Sequence, residues 1–174
     1  MGVYSAFNAG IFAWKRLDAV MGSYQNTAVL FDIMGKRIAS FVPSEKVNFE
    51  GAADKITFLS RVENEGRYDL EKVSFYFDRE RNVLMQSEEP IKSVLETDEN
   101  KKEITVQELS GKMNAVEFKY FCKKPGPETG YEWVDSFDPE KPEACRGVNI
   151  FLSSGFDLNK TVYLYVEAKG APNK

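Results

Sequence analysis

Histidine is absent from this chain of 174 residues, and cysteine occurs only twice. Without an imidazole there is no Ser–His or Cys–His nucleophilic pair, no His-ligated zinc and no ready general base near neutral pH. Two cysteines, Cys122 and Cys145, are too few to build a structural zinc site by themselves. Phosphate cradles are missing as well. Gly126, Gly130 and Gly147 match neither a P-loop nor a dinucleotide fingerprint. Ser153-Ser154-Gly155 reads as a turn, because a nucleophile elbow needs Gly two residues to either side of the Ser. No basic cluster stands out: Lys101-Lys102 lies among Asp98, Glu99 and Glu103, and the formal net charge is −4. A nucleic-acid partner is therefore not expected. No motif calls for a metal or cofactor, and the chain reads as non-enzymatic.

What is present is patterned. Residues 1–14 carry no charged side chain. They fall short of the roughly 20 apolar residues that cross a bilayer, and they lack the basic start and cleavage site of a signal peptide. From Lys15 an apolar seam steps by three and four through Trp14, Leu17, Met21, Tyr24, Ala28, Phe31, Gly35, Ile38 and Val42. Val20, Thr27, Met34 and Phe41 widen it to the breadth of a core-facing helix. Pro43 is the first residue that stops the pattern. A helix from about Tyr4 to Val42 would be roughly 55–60 Å long, so part of it must protrude. An apolar helix end is either buried in the domain or embedded in lipid; the second reading makes it the stump of a membrane helix.

After Pro43 the texture changes to short β-branched and aromatic segments between turn signals. Strands are expected at Val47–Phe49, Lys55–Val62, Lys72–Asp78, Val83–Gln86, Ile104–Glu108, Ala115–Phe121, Tyr131–Trp133, Val148–Leu152 and Thr161–Glu167. Residues Asp78–Asn82 read as a hairpin turn. Glu88–Lys102 reads as an exposed connection, and Pro125–Pro142 as a long loop with a short strand inside it. The expected fold is α+β, one long N-terminal helix packed on a mostly antiparallel sheet. Residues 1–43 would form the helix and 44–174 a β-rich head.

Cys122 and Cys145 flank that long loop. In an oxidising compartment a bridge between them would stabilise by about 3 kcal/mol; in a reducing one they would be core thiols. The loop also gathers Glu128, Glu132, Asp135, Asp138, Glu140 and Glu143. Their spacing breaks the alternate-ligand pattern of an EF-hand, and a solvated surface explains them better than calcium or catalysis. Tyr131, Trp133 and Phe137 offer a sugar-stacking face, although such a cluster beside a strand also reads as a satellite core.

Several segments together resemble the minor pseudopilins of the type II secretion system, J-type, within the type IV pilin-like family. They are KRLDAVMGSYQNTAVLFDIMGKRIASFVPSE, FEGAADKITFLSRVE, VSFYFDRERNVLMQSEEP, VEFKYFCKKP, GYEWVDSFDPEKP and GVNIFLSSG. The family pattern is matched by Gly51 with Ile56, Phe58, Leu59 and Ser60, by Trp133, and by Pro142 with Val148, Ile150 and Leu152. The cleavage signature of the family is not in this sequence, and Phe137 stands where a second Trp is common. The resemblance implies a non-catalytic subunit of a short pilus, methylated and anchored in the bacterial inner membrane by a single N-terminal span, with its head in the periplasm. Its partners would be other minor pseudopilins and the pseudopilus. On that reading Phe7, Ile11, Trp14, Leu17 and Met21 form the partner surface. Tyr24, Ala28, Phe31 and Ile38 then face the sheet, with Gly22 and Gly35 letting neighbouring backbones approach. The alternatives are a small-ligand domain with a curved sheet around a long helix, and a periplasmic carboxylate hydrolase using Glu132 and Asp135.

Overall fold

The computed structural model describes residues 21–22, 25–44, 47, 49–64, 66–95, 103–124, 130–136, 145–155 and 157–164. Helix α1 covers residues 25–39, with residues 21–22 also helical. The first sheet follows: β1 Glu50–Ala52, β2 Lys55–Asn64, β3 Arg67–Asp78, β4 Val83–Pro90 and, after helix α2 at Ile91–Val94, β5 Thr105–Glu108. The second sheet holds β6 Ala115–Lys123, β7 Tyr131–Val134, β8 Cys145–Ser153 and β9 Asp157–Tyr163. Strand order is β1-β2-β3-β4-β5 in one sheet and β7-β6-β8-β9 in the other. Every pairing is antiparallel.

This corrects the expected α+β architecture of a long helix on one sheet. The described chain is mostly antiparallel β in two sheets, and its main helix is short, about 22 Å over residues 25–39 at 1.5 Å per residue. Apolar periodicity runs on to Val42, but the backbone is captured earlier. Val42 N donates to Leu59 O at 2.8 Å, Arg61 N donates to Ser40 O at 3.0 Å, and Phe41 bridges Ser60. Residues 40–42 thus join β2 before Pro43 is reached. The uncharged segment 1–14 lies outside the described residues. Among the described residues no helix is long and apolar enough to cross a membrane.

Strand alternation explains the core. In β6, Val116, Phe118, Tyr120 and Cys122 point inward while Glu117 and Lys119 are exposed. In β8, Val148, Ile150 and Leu152 do the same. The first sheet contributes Ile56, Phe58, Val73, Phe75 and Leu84, and α1 contributes Leu30, Phe31, Met34 and Ile38. One contiguous core therefore joins the helix to both sheets.

Some boundaries differ from expectation for physical reasons. Val47 and Phe49 are buried, yet the strand begins only at Glu50. β3 starts at Arg67, well before Lys72, because Arg67–Asp69 lie on an exposed ribbon paired to β2 and bury nothing that alternation would reveal. Glu88–Lys102 is not simply an exposed connection: β4 runs through Pro90, α2 follows, and Glu89 is buried. The last strand begins at Asp157, not Thr161. At the β3–β4 turn, Asp78 Oδ1 accepts from Glu80 N and Arg81 N, and Asn82 takes a left-handed φ of 56°.

The sheets meet at the β1–β2 turn. Phe118 N of β6 donates to Ala53 O at 2.8 Å, and the Tyr120 hydroxyl lies 3.0 Å from both Ala52 O and Lys55 O. Burial raises the Tyr120 pKa; the hydrogen bond to Ala52 opposes the rise and Asp54 adds to it. Tyr120 is fully buried, so Phe at this position would leave carbonyls without their donor. Tyr120→Phe is expected to cost about 1–2 kcal/mol in urea unfolding, with the cooperativity of the transition retained.

Candidate functional site

The segment singled out by the sequence is the helix surface. At about 100° per residue, Thr27, Leu30, Phe31, Met34, Gly35 and Ile38 sweep a buried arc of roughly 140°. Leu30, outside the expected seam, marks one end of the arc and Gly35 the other. Ala28 falls just beyond Gly35 and is exposed, which corrects its placement against the sheet. Phe31 and Ile38 are buried at 8% and 0% exposure. Tyr24, Phe7, Ile11, Trp14 and Leu17 lie outside the described residues. Met21 is 54% exposed and stands seven residues before Ala28, on the same flank. Val29, 58% exposed, points away from the sheets, beside the exposed Asp32–Lys36 ion pair.

Polar straps hold the two sides of the arc. Toward the first sheet, Arg37 pairs with Glu88 of β4 through Nη2 and, at 3.6 Å through Nη1, with Glu71 of β3. The second separation is an ion pair too long for a hydrogen bond, so Glu71 Oε2 is buried without one. Gln86 Nε2 donates to the same Glu88 oxygen that Arg37 engages. Toward the second sheet, Lys160 Nζ donates to Phe31 O at 3.2 Å, and Thr27 Oγ1 meets Ser154 Oγ at 3.2 Å. Gly35 makes room for this strap: a Cβ there would sit 3.2 Å from Lys160 Nζ. Its close neighbour is thus a side chain and not a backbone, while Gly22 faces open space.

Burial raises the Glu71 pKa from its ordinary 4.5; Glu88 adds to the rise, Arg37 opposes it and Asp69 contributes least. A carboxyl whose folded pKa is raised stabilises fully below the unfolded value and loses that contribution as pH climbs through the folded one. Ionised Glu71 therefore opposes folding at neutral pH.

Cys122 of β6 and Cys145 of β8 are joined in a disulfide across a separation of 23 residues. A bulge puts Arg146 opposite no residue of β6, since Phe121 pairs with Gly147 and Cys122 with Cys145. That extra residue brings both sulfurs to the core face and sends the Arg146 guanidinium over the Tyr131 ring, 4.7 Å from its centroid.

The carboxylates of the hydrolase alternative do not converge. Glu132 pairs in register with Cys122, on one face, whereas Asp135 sits 3.7 Å from Lys119 on the other. Glu128, Asp138, Glu140, Glu143 and Phe137 lie outside the described residues. Among the described residues no three acidic or cysteine side chains gather as a metal site. Between helix and sheets the space is filled by Phe49, Phe58, Phe75, Phe118 and Tyr120, each at most 2% exposed. A depression of about 330 Å³ lies instead on the first sheet, lined by Asp54, Lys55, Ser74, Tyr76, Phe77 and Ser87. No known protein-family model matches the chain, and no curated protein matches it significantly.

Two sets of variants check this construction. Glu71→Gln is expected to raise the melting temperature at pH 7 and to leave it unchanged below about pH 4, where Glu71 is protonated anyway. Glu88→Gln keeps an acceptor oxygen but removes the charge that Arg37 pairs with, and should cost about 1–3 kcal/mol at pH 7. Replacing both cysteines by Ser should cost about 3 kcal/mol in unfolding under non-reducing conditions, and dithiothreitol should lower the wild type to the same level.

Proposed function

We propose that this chain is a non-enzymatic structural subunit of a pilus-like secretion assembly, a minor pseudopilin of the type II secretion pseudopilus tip, which assembles through its N-terminal helix. The observation that carries the reading is the exposed flank of α1. Met21 and Ala28, one heptad apart, stand outside the arc that the sheets cover, in line with the expected seam through Trp14 and Leu17. Exposed apolar side chains in a row along a helix favour a partner helix, because burial of each recovers roughly 25 cal/mol per Å² of apolar surface.

Other features support it. The helix precedes the sheets and is held to both of them by Arg37, Thr27 and Phe31, so force on the helix is passed to the whole head. The Cys122–Cys145 bridge suits an oxidising compartment such as the periplasm, which agrees with a head outside the cytoplasm and an anchor in the inner membrane. The partners on this reading are sibling minor pseudopilins and the pseudopilus.

Co-purification with the other minor pseudopilins of the same secretion system tests the assignment. Met21→Glu combined with Ala28→Glu is expected to reduce capture of siblings at least tenfold while circular dichroism and the melting temperature stay near wild type. Undiminished capture by the folded double variant would sink the helix-flank reading.

A further inference from the structure

The second sheet has an outer face, and one cross-strand row on it runs through all four strands. Trp133 of β7 pairs with Phe121 of β6, Phe121 with Gly147 of β8, and Gly147 with Tyr163 of β9. Directly paired residues share a face. The row therefore carries an aromatic side chain on three strands and a glycine on the fourth. Its rings are offered to solvent, with Trp133 at 44% and Tyr163 at 71% exposure. Phe121 packs between its neighbours, 5.1 Å from Trp133 at 40° and 5.3 Å from Tyr131 at 28°, so the three rings form one packed aromatic cluster whose outer members reach solvent. Gly147 lies between the rings of Phe121 and Tyr163, close enough that a Cβ there would stand in ordinary contact, 3.6 Å, with Phe121 Cβ and Tyr163 Cδ1.

The adjoining row on the same face is polar. Lys119 pairs with Asn149 and Asn149 with Thr161; Asn149 Nδ2 donates to Thr161 Oγ1 at 3.0 Å, and Lys119 meets Asp135. An aromatic band thus runs beside a band of uncharged donors and acceptors and one ion pair. A pyranose has the same two-sided character, an apolar C–H face with hydroxyls around its rim. Crossing four strands takes three inter-strand steps, about 14 Å at roughly 4.8 Å each, which accommodates about three sugar rings of an extended chain.

The support under the band is rigid. The Cys122–Cys145 bridge ties β6 to β8 from the core side, adjacent in sequence to Phe121, and the bulge beside it aims Arg146 at Tyr131. A pre-ordered surface loses little entropy on binding. A single-stranded nucleic acid also stacks on aromatic rings, but it requires a cationic track for its phosphates. The cations beside the band are Lys119, which meets Asp135; Lys123; and Arg146, over the Tyr131 ring. They stand at separate points and form no continuous track, in a chain of net charge −4.

We propose that the Trp133–Phe121–Tyr163 row, with Asn149 and Thr161 beside it, is a carbohydrate-binding face that takes an extended pyranose chain. It is independent of the helix flank, so either reading stands without the other.

The test is titration of the oxidised full chain with glucose hexasaccharides in β-1,4, β-1,3 and α-1,4 linkage and with the β-1,4 N-acetylglucosamine hexamer, followed by tryptophan fluorescence and calorimetry. At least one should bind and shift the fluorescence. Trp133→Ala and Tyr163→Ala should each weaken that binding tenfold or more with the melting temperature near wild type, and Trp133→Phe should keep it within about threefold. Failure of the folded wild type to bind any of the four overturns the proposal, as does undiminished binding by the double alanine variant. A twenty-nucleotide thymidine strand serves as the competing ligand. Tight binding of that strand, falling steeply with salt, would assign the face to nucleic acid and overturn the proposal too.

Discussion

Two sheets that share no strand converge on the β1–β2 turn, where a buried hydroxyl and a backbone bond cross from one to the other beside their common core. Tyr120 rises from the middle of β6 and reaches the carbonyls on either side of the β1–β2 turn, while its neighbour Phe118 ties the same turn by a backbone bond. A hydroxyl has one proton, so the two carbonyls share it, and the aromatic ring beneath fills the space where the sheets converge. The groove that receives α1 is the opening left between them, and its lining is the set of inward residues that strand alternation dictates. Met34 and Ile38 enter that two-sided slot and are fully buried there.

The helix in that slot is fixed by unlike means on its two flanks. The side toward the first sheet uses charge: Arg37 between Glu88 and a Glu71 that burial disfavours in its ionised form. Burial and the neighbouring Glu88 both work against a charge on Glu71, so this strap orients the helix more than it stabilises the fold. The side toward the second sheet uses a lysine on a helix carbonyl and a hydroxyl pair, and a glycine lets the lysine in. Neither strap reaches Met21, Ala28 or Val29, and the outer flank of the helix stays bare.

How much of this was legible in the sequence varied with the kind of signal. Strands whose alternate residues are buried were readable: Val116, Phe118 and Tyr120, or Val148, Ile150 and Leu152, announce themselves. The Arg67–Asp69 extension was not, because a ribbon exposed on both faces has no apolar period to detect. The helix is visible in the sequence, but its apolar period runs on to Val42, since periodicity cannot show that the backbone of residues 40–42 pairs with β2. Its phase slipped too: small Ala28 was placed in the seam and Leu30 outside it, whereas the larger side chain takes the buried position. Trp133 and Tyr131 could be noticed as aromatic residues near one another. That Phe121 and Tyr163 share their row depends on the register of three strand pairs, which no local pattern encodes.

The ties between α1 and the far end of the chain also set a timetable. Thr27 and Ser154 are 127 positions apart, and Phe31 and Lys160 are 129 apart. A ribosome adding about 5–20 residues per second takes roughly 6–26 s to cover that distance. Until β8 and β9 are made, the slot has only the wall that the first sheet supplies, and Leu30, Phe31, Met34 and Ile38 lack part of their cover. A helix that precedes both sheets is therefore completed only when the second of them closes over it, and until then part of one apolar face rests on the first sheet alone.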